Sequence, residues 1–179
     1  KLCESYSNQY FKKNGTDYRA LMPCNLFGPG DRYDEKNGHV IASLILKFKK
    51  AKKNNLKEVI VWGSGKPKRE FMYVDDLADA AIKVMNLSRK KFDTATGIHS
   101  NFFNVGYGKH YTILEIAKII KDAIGYKGNI KFDKSYPDGV YQKLMNSKKI
   151  NRIGWKPKYD FKKYLEKITI NAYQNNKIN

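Results

Sequence analysis

The chain has 179 residues, one domain's worth by length and enough to bury a sizeable core. Its 35 Lys and Arg against 17 Asp and Glu give a formal net charge of +18, but the excess is mostly Lys, scattered, and unaccompanied by a nucleic-acid-reading motif, so nucleic acid is not the expected partner. Cys3 and Cys24 share no CxxC or metal-like spacing, no apolar run approaches membrane-spanning length and no signal peptide is visible, which reads as a reduced, cytoplasmic chain with no membrane partner and no metal.

At Lys1 an amphipathic pattern (Leu2, Tyr6, Tyr10) is already under way with no capping residue ahead of it. The chain therefore reads as beginning inside a helix, the C-terminal part of something longer. That helix closes at Asn14-Gly15, where a left-handed cap is tolerated. Asp17 to Met22 reads as a buried strand broken by Pro23, and Pro23 to Asp31 as a loop leaving its C-terminal end, the edge where ligands bind in open parallel sheets. Asn25 suits a cofactor amide or ribose there; the alternative is a structural turn. A polar stretch, Arg32 to Gly38, leads to His39 at the head of a helix. Its apolar face carries Ile41, Leu44, Ile45 and Phe48, and Lys47, Lys49, Lys50, Lys52 and Lys53 read as a solvated face. An imidazole, with an ordinary pKa of about 6.5, serves as acid or base near neutrality; a structural histidine is the plainer reading.

Val59 to Trp62, the turn chemistry of Gly63-Ser64-Gly65 and Pro67, and the strand-like run Glu70 to Val74 predict a hairpin with charge at its tip. Asp75-Asp76 offers an N-cap to a helix carrying Leu77, Ala80, Ala81, Val84 and Met85. Arg69 presents a rigid fork for a phosphate and Trp62 a flat face for a base or sugar. The plainer readings are a solvated strand-end charge and a core aromatic.

Ser88 to Ser100 reads as a polar loop and Phe102 to Gly106 as a second buried strand. Thr112 and Glu115 form a capping box opening a helix (Ile113, Ile116, Ala117, Ile120, Ala123, Ile124) that closes at Gly125. Asn129 to Asp133 is a short strand, Pro137-Asp138-Gly139 a turn followed by Gln142-Lys143-Leu144. Ser147 caps a brief helix ending at Gly154-Trp155, and Asp160 caps the last one (Phe161, Tyr164, Leu165, Ile168, Ala172). Strands alternating with helices, without a repeat, predict an α/β fold.

Several motifs stand in a telling order: Lys1-Leu2-Cys3-Glu4-Ser5-Tyr6, Met22-Pro23-Cys24-Asn25-Leu26-Phe27-Gly28-Pro29, Gly38-His39-Val40-Ile41, Val61-Trp62-Gly63-Ser64-Gly65, Arg69-Glu70-Phe71, Val74-Asp75-Asp76, Asn104-Val105-Gly106 and Lys134-Ser135-Tyr136-Pro137-Asp138-Gly139. Together they resemble the C-terminal half of the extended short-chain dehydrogenase/reductases, and within them the GDP-L-fucose synthase family. Arg-Glu-Phe and Val-Asp-Asp are widespread among sugar-nucleotide epimerases and dehydratases; the Trp-Gly-Ser-Gly run combined with Gly-His-Val is more specific.

The resemblance implies the last strands of a Rossmann-type parallel sheet plus a small α/β substrate-binding domain. Residues 1–34 would be the remnant of the NADP-binding domain and 35–179 mainly the sugar-nucleotide domain, with 75–106 returning to the Rossmann sheet. It implies NADP(H) as cofactor, touched at its nicotinamide end by Pro23, Cys24, Asn25, Leu26 and His39. It also implies a GDP-sugar substrate held by Lys47, Trp62, Arg69 and Lys143, with His39 as the acid of an epimerisation pair. Lys47 stands where the family commonly has Arg, and Gln142 replaces an expected basic residue. The Gly-rich loop, catalytic Ser, Tyr-x-x-x-Lys pair and partner Cys would precede Lys1, so the chain alone is expected to be inactive. The spacing of Tyr159 and Lys163 reads as chance, and Gly106-Tyr107-Gly108 as a strand-end turn. A homodimer of the full protein through the first helix is implied as well. Two other readings stay open: another NAD(P)-dependent nucleotide-sugar epimerase or dehydratase, and a basic nucleic-acid-binding module whose affinity would fall steeply with salt.

Overall fold

The computed structural model describes residues 2–97 and 100–174; Lys1, and Ile98 and His99 of the expected Ser88 to Ser100 loop, lie outside them. In chain order, α1 (Leu2–Asn14) leads to β1 (Ala20–Pro23) and β2 (Asn25–Phe27), and α2 (Val40–Lys53) to β3 (Glu58–Trp62), β4 (Lys68–Arg69) and β5 (Phe71–Tyr73). Next come α3 (Val74–Met85), α4 (Arg89–Thr96), β6 (Phe102–Val105), β7 (Tyr111–Thr112) and α5 (Ile113–Ile124). The chain ends through β8 (Asn129–Asp133), β9 (Gln142–Lys143), α6 (Lys148–Arg152) and α7 (Phe161–Gln174).

Three two-stranded sheets are parallel: β1 with β6, β2 with β5 and β3 with β8. A fourth, three-stranded sheet has the order β7-β4-β9, with β4 parallel to β9 and antiparallel to β7. Strand β5 is the partition of the molecule. Its alternation sends Phe71 and Tyr73 into a core shared with α2, α5 and α7 (Ile45, Phe48, Ile120, Leu165). Met72 points the other way, into a core shared with α3, α4 and β6 (Val84, Phe92, Phe103) and joined by Ile150 and Trp155. Full burial of each such side chain contributes about 1.5–3 kcal/mol.

The capping box is present: Thr112 Oγ1 accepts from Glu115 N at 3.1 Å and Glu115 Oε2 accepts from Thr112 N at 2.7 Å. Asp160 accepts from Lys163 N at 2.9 Å and starts α7 as expected. Ser147 stands before α6, though its hydroxyl makes no capping bond.

Four expectations are corrected. The hairpin does not form. Gly63 N instead donates to Asp133 O at 2.8 Å, prolonging the parallel β3–β8 ladder, while β5 pairs with β2. The segment Ser88 to Ser100 contains α4, capped by Ser88 and anchored by Phe92, whose ring meets Phe103 edge-on at 5.5 Å. With only Phe92 and Thr96 buried, α4 lacks an apolar period. The cap of α3 falls at Tyr73, leaving Asp75 and Asp76 in the first turn, where their charges favour the helix dipole. Finally, β1 is shorter and more open than a buried strand, because β6 is its one neighbour among the described residues and Met22 stays exposed.

The Lys-rich face of α2 is also less solvated than expected. Lys49 Nζ donates to Ala172 O at 3.2 Å and Lys52 Nζ to Ile124 O at 2.5 Å. These cations sit on the carbonyl ends of α7 and α5, the electronegative pole of each helix.

Candidate functional site

The turn from β1 into β2 leaves a parallel strand pair at its C-terminal edge, and a cleft of about 640 Å³ opens there. Its walls include Cys24, Asn25, Leu26, Asp31, His39 and Arg69. A second space, of about 200 Å³, shares Gly38, Val40 and Arg69 with the first and adds Lys47, Trp62 and Asp138. Pro23 and Lys143 meet in a third recess with Cys24 and Asn25. Segments far apart in sequence thus converge on one region, with Arg69 common to the two larger spaces.

Each side chain is placed by local structure. His39 is the N-cap of α2 with extended backbone, and its ring does not cap the helix. Instead its Nδ1 lies 3.0 Å from Asp31 Oδ1, with the imidazole 79% exposed and the Asp31 side chain 12% exposed. The loop between them is fastened by Asp34, whose Oδ1 accepts from Lys36 N and Asn37 N at 2.9 Å each. The donors Asn37 and Lys36 bring its carboxyl down to about 2.

Strand β3 alternates, burying Val59 and Val61 and turning Ile60 and Trp62 outward, so Trp62 is not core. Its ring stacks on Tyr136 at 4.4 Å with 10° between planes. Lys47 Nζ lies 4.4 Å from the centre of the Trp62 ring and donates to Ile60 O at 3.1 Å; burial holds its pKa below the ordinary amine range. Arg69 and Lys143 are register partners across β4 and β9. Arg69 Nη2 donates to Asp138 O at 3.3 Å, while the Asp138 carboxylate accepts from Ser64 N and Ser64 Oγ at 2.6 Å each.

Asn25 is tied structurally: its Nδ2 donates to Glu70 O at 2.9 Å, and the residue lines the cleft and the third recess.

Four contributors escaped the sequence reading. Asp31 and Asp138 carry only turn chemistry locally, and Tyr136 nothing that marks it as a stacking partner. Glu70, 1% exposed, accepts from Gly108 N and Met145 N at 2.7 Å each, tying the segments after β6 and β9 to the start of β5. Burial, and then the Glu70 charge, push the Cys24 thiol up to about 12, so it is a neutral wall of the cleft. The whole presents cations (Lys47, Arg69, Lys143) around a groove with one aromatic platform, a donor set that matches a nucleoside diphosphate.

These features define an α/β protein of the nucleotide-binding Rossmann type with a site at the sheet's carboxyl edge. Residues 1–106 match the NAD dependent epimerase/dehydratase family, and the chain belongs to that family, within the extended short-chain dehydrogenase/reductases. It is 45% identical to the GDP-L-fucose synthase of Escherichia coli (strain K12), over 87% of this chain and 47% of the relative. To the GDP-L-colitose synthase of Yersinia pseudotuberculosis it is 38% identical over 100% of this chain and 54% of the relative. Among solved structures, a GDP-L-fucose synthetase from Naegleria fowleri superposes with a TM-score of 0.83 at 27% identity, covering 98% of this chain and 52% of that one. The same protein bound to NADP gives 0.82 at 26% identity, covering 97% and 54%. The chain spans about half the length of the curated relatives it matches. Among the described residues, no helix is long and apolar enough to cross a membrane.

Proposed function

We propose that this chain is the nucleotide-sugar half of a GDP-L-fucose synthase, acting on GDP-4-keto-6-deoxy-D-mannose by epimerisation at C3 and C5 and reduction at C4. The observation that carries the reading is the convergence of His39 with Arg69 in one cleft, and of Arg69 with Lys47 and Trp62 in the next. Arg69, Lys47 and Lys143 hold the diphosphate; Trp62, stacked on Tyr136 and covered by the Lys47 ammonium, meets the nucleoside when Lys47 swings from its ring to the diphosphate. We assign residues 1–34 and 75–106 to the cofactor-binding body and most of the rest of 35–179 to the substrate body; the packing of Val84, Phe92, Phe103 and Val105 in one core supports this for 75–106, while Phe27 packs with the substrate-body helices and Ile150 and Trp155 with the cofactor body.

In this reading a 4-keto group acidifies the C–H bonds on C3 and C5. A base elsewhere in the protein removes a proton to give an enolate, and His39 delivers one to the same carbon from the other face, inverting it. The residues lining the cleft fit a nicotinamide end, since Asn25 brings an amide to that wall and the neutral Cys24 leaves it uncharged. When bound there, NADPH supplies the hydride that reduces C4. Cys24 and Cys3 are both free, which fits a cytoplasmic setting. Exposed Tyr6 and Tyr10, stacked at 5.3 Å on α1, support a homodimer through that helix, which light scattering of the full polypeptide checks.

The test is to express the full natural polypeptide and supply GDP-4-keto-6-deoxy-D-mannose with NADPH; GDP-L-fucose is the expected product, and failure to turn over this sugar while binding GDP would overturn the substrate assignment. A second reading, a synthase for another GDP-4-keto sugar, is favoured by the colitose synthase similarity, which runs over the whole chain. A panel of GDP-keto-sugars separates the two.

A further inference from the structure

We propose that Asp31 is the positioning residue of His39, fixing which ring nitrogen of the imidazole meets the substrate; this rests on the reading of His39 as the epimerisation acid. Asp31 Oδ1 lies 3.0 Å from His39 Nδ1, and a carboxylate accepts only, so Nδ1 carries a proton and donates it. Among the described residues Nε2 makes no hydrogen bond, and the ring lines the large cleft with 79% of its surface open. The pairing therefore assigns Nε2 to the substrate side in every protonation state.

The asymmetry of exposure supports a directed contact. Asp31 is 12% exposed against 79% for the imidazole, and the same Oδ1 accepts from Arg32 N at 2.7 Å. The carboxylate is thus held by the loop backbone, while the histidine leans on it from a helix cap that makes no other use of the ring. Asp34, accepting from Lys36 N and Asn37 N, stiffens the span between the two.

The chemical consequence is specific. In the delivering step the Nε2–H bond breaks and a C–H bond forms at C3 or C5, using the enolate's electron pair. The enolate becomes the ketone and the imidazolium a neutral ring that keeps Nδ1–H on Asp31. Without Asp31 the ring is free to rotate and the imidazolium loses the carboxylate that orients it, so a fraction of the charged molecules turn Nε2–H away from the substrate, and the neutral ring left after delivery carries its single proton on either nitrogen. Asp31 itself touches no reacting atom.

The test uses the full natural polypeptide with ¹⁵N-labelled histidine. The ring nitrogens of His39, assigned by difference from His39→Gln, are expected to show the Nδ1–H tautomer in the wild type. In Asp31→Ala they should show a mixture or the Nε2–H form. In parallel, wash-in of solvent deuterium into GDP-4-keto-6-deoxy-D-mannose without NADPH should fall about 100-fold in Asp31→Ala, with GDP affinity unchanged. Asp31→Asn keeps an acceptor for both donors but removes the charge, so it should retain the tautomer and lose about 10-fold in wash-in; it serves where the alanine variant fails to fold. An unchanged tautomer with unchanged exchange in Asp31→Ala overturns the proposal. A tautomer change in a protein whose wild type exchanges no deuterium leaves Asp31 as the partner of His39 and overturns the fucose-synthase reading instead.

Discussion

Lys47 Nζ lies 4.4 Å from the centre of the Trp62 ring while donating to the carbonyl of Ile60 at 3.1 Å. An ammonium over an indole gains from the ring quadrupole, and here it also covers surface that a nucleoside would use. A diphosphate arriving between Arg69 and Lys143 competes for the same cation, with a full charge against a quadrupole. Burial lowers the Lys47 pKa from the ordinary 10.5. In the proposed reading GDP would bind the protonated form, so affinity should decline as pH rises through the lowered value, earlier than for an ordinary lysine. Calorimetry of GDP binding to the full polypeptide should show this decline. Lys47→Arg should abolish it, because a guanidinium stays charged, and Lys47→Ala should weaken GDP at neutral pH by about 10-fold or more. Equal affinity in all three proteins would remove Lys47 from the site.

The loop that presents His39 should report acid in a defined window. Hydrogen bonds from Asn37 N and Lys36 N bring Asp34 from its ordinary 3.8 to about 2. A depressed carboxyl stabilises the fold above its unfolded value and loses that contribution as pH falls toward the folded one. The Asp34 carboxyl carbon followed by NMR should therefore titrate near 2, and Asp34→Ala should speed amide exchange at Lys36 and Asn37. A midpoint near 4 would show that these bonds do not persist in solution.

How far the sequence carries differs by element for identifiable reasons. Helices α5 and α7 are legible because cap and apolar period agree: Thr112 with Glu115, Asp160 with Phe161, Leu165 and Ile168. The hairpin is misread because turn chemistry at Gly63 and Gly65 is local, whereas β3 finds its partner β8 dozens of residues later, beyond α3, α4 and α5, since parallel strands need a long crossover. The site shows the same division. His39, Trp62, Arg69 and the Pro23 to Leu26 turn belong to recognisable motifs, and the fold gathers them. Asp31 and Asp138 look like ordinary turn residues, because what makes them partners is the position of His39 and Ser64 in space.

Cys24 offers a negative control for the chemistry. Its thiol lies in the cleft wall, but desolvation first, and the neighbouring Glu70 charge second, push it up to about 12. Since the thiolate is the reactive form, alkylation with iodoacetamide at pH 8 followed by peptide mass mapping should modify exposed Cys3 well before Cys24. The Cys24 rate should keep climbing about tenfold per pH unit through pH 9 and 10, and Glu70→Gln should bring its pKa down. A Cys24 rate that levels off near pH 8 would show that this thiol ionises readily and is not a neutral wall of the cleft.

Gly65 is one backbone position on which the wall beside Trp62 depends. It sits at φ +75, and a Cβ there would come within 2.3 Å of the Phe132 ring, so the turn after β3 lies flat on the second strand of its own sheet. Gly65→Ala combines a left-handed conformation, about 1–2 kcal/mol for an L-residue, with overpacking of about 1–3 kcal/mol. A loss of about 2–5 kcal/mol in urea denaturation is expected. Adding Phe132→Leu should return the overpacking part and leave the backbone part, since the smaller side chain clears the methyl but cannot change φ. The contrast at Gly63 sharpens the test: there the atom a Cβ would meet is Asp138 Oδ1 at 2.5 Å, the end of a side chain. Gly63 also sits at φ +82, so Gly63→Ala carries the same backbone cost, but it should displace Asp138 from Ser64 in place of the overpacking, lowering stability less than Gly65→Ala and weakening GDP binding. If both alanines act alike on stability and neither responds to its neighbour, the close approach of this turn to Phe132 and Asp138 is not maintained in solution.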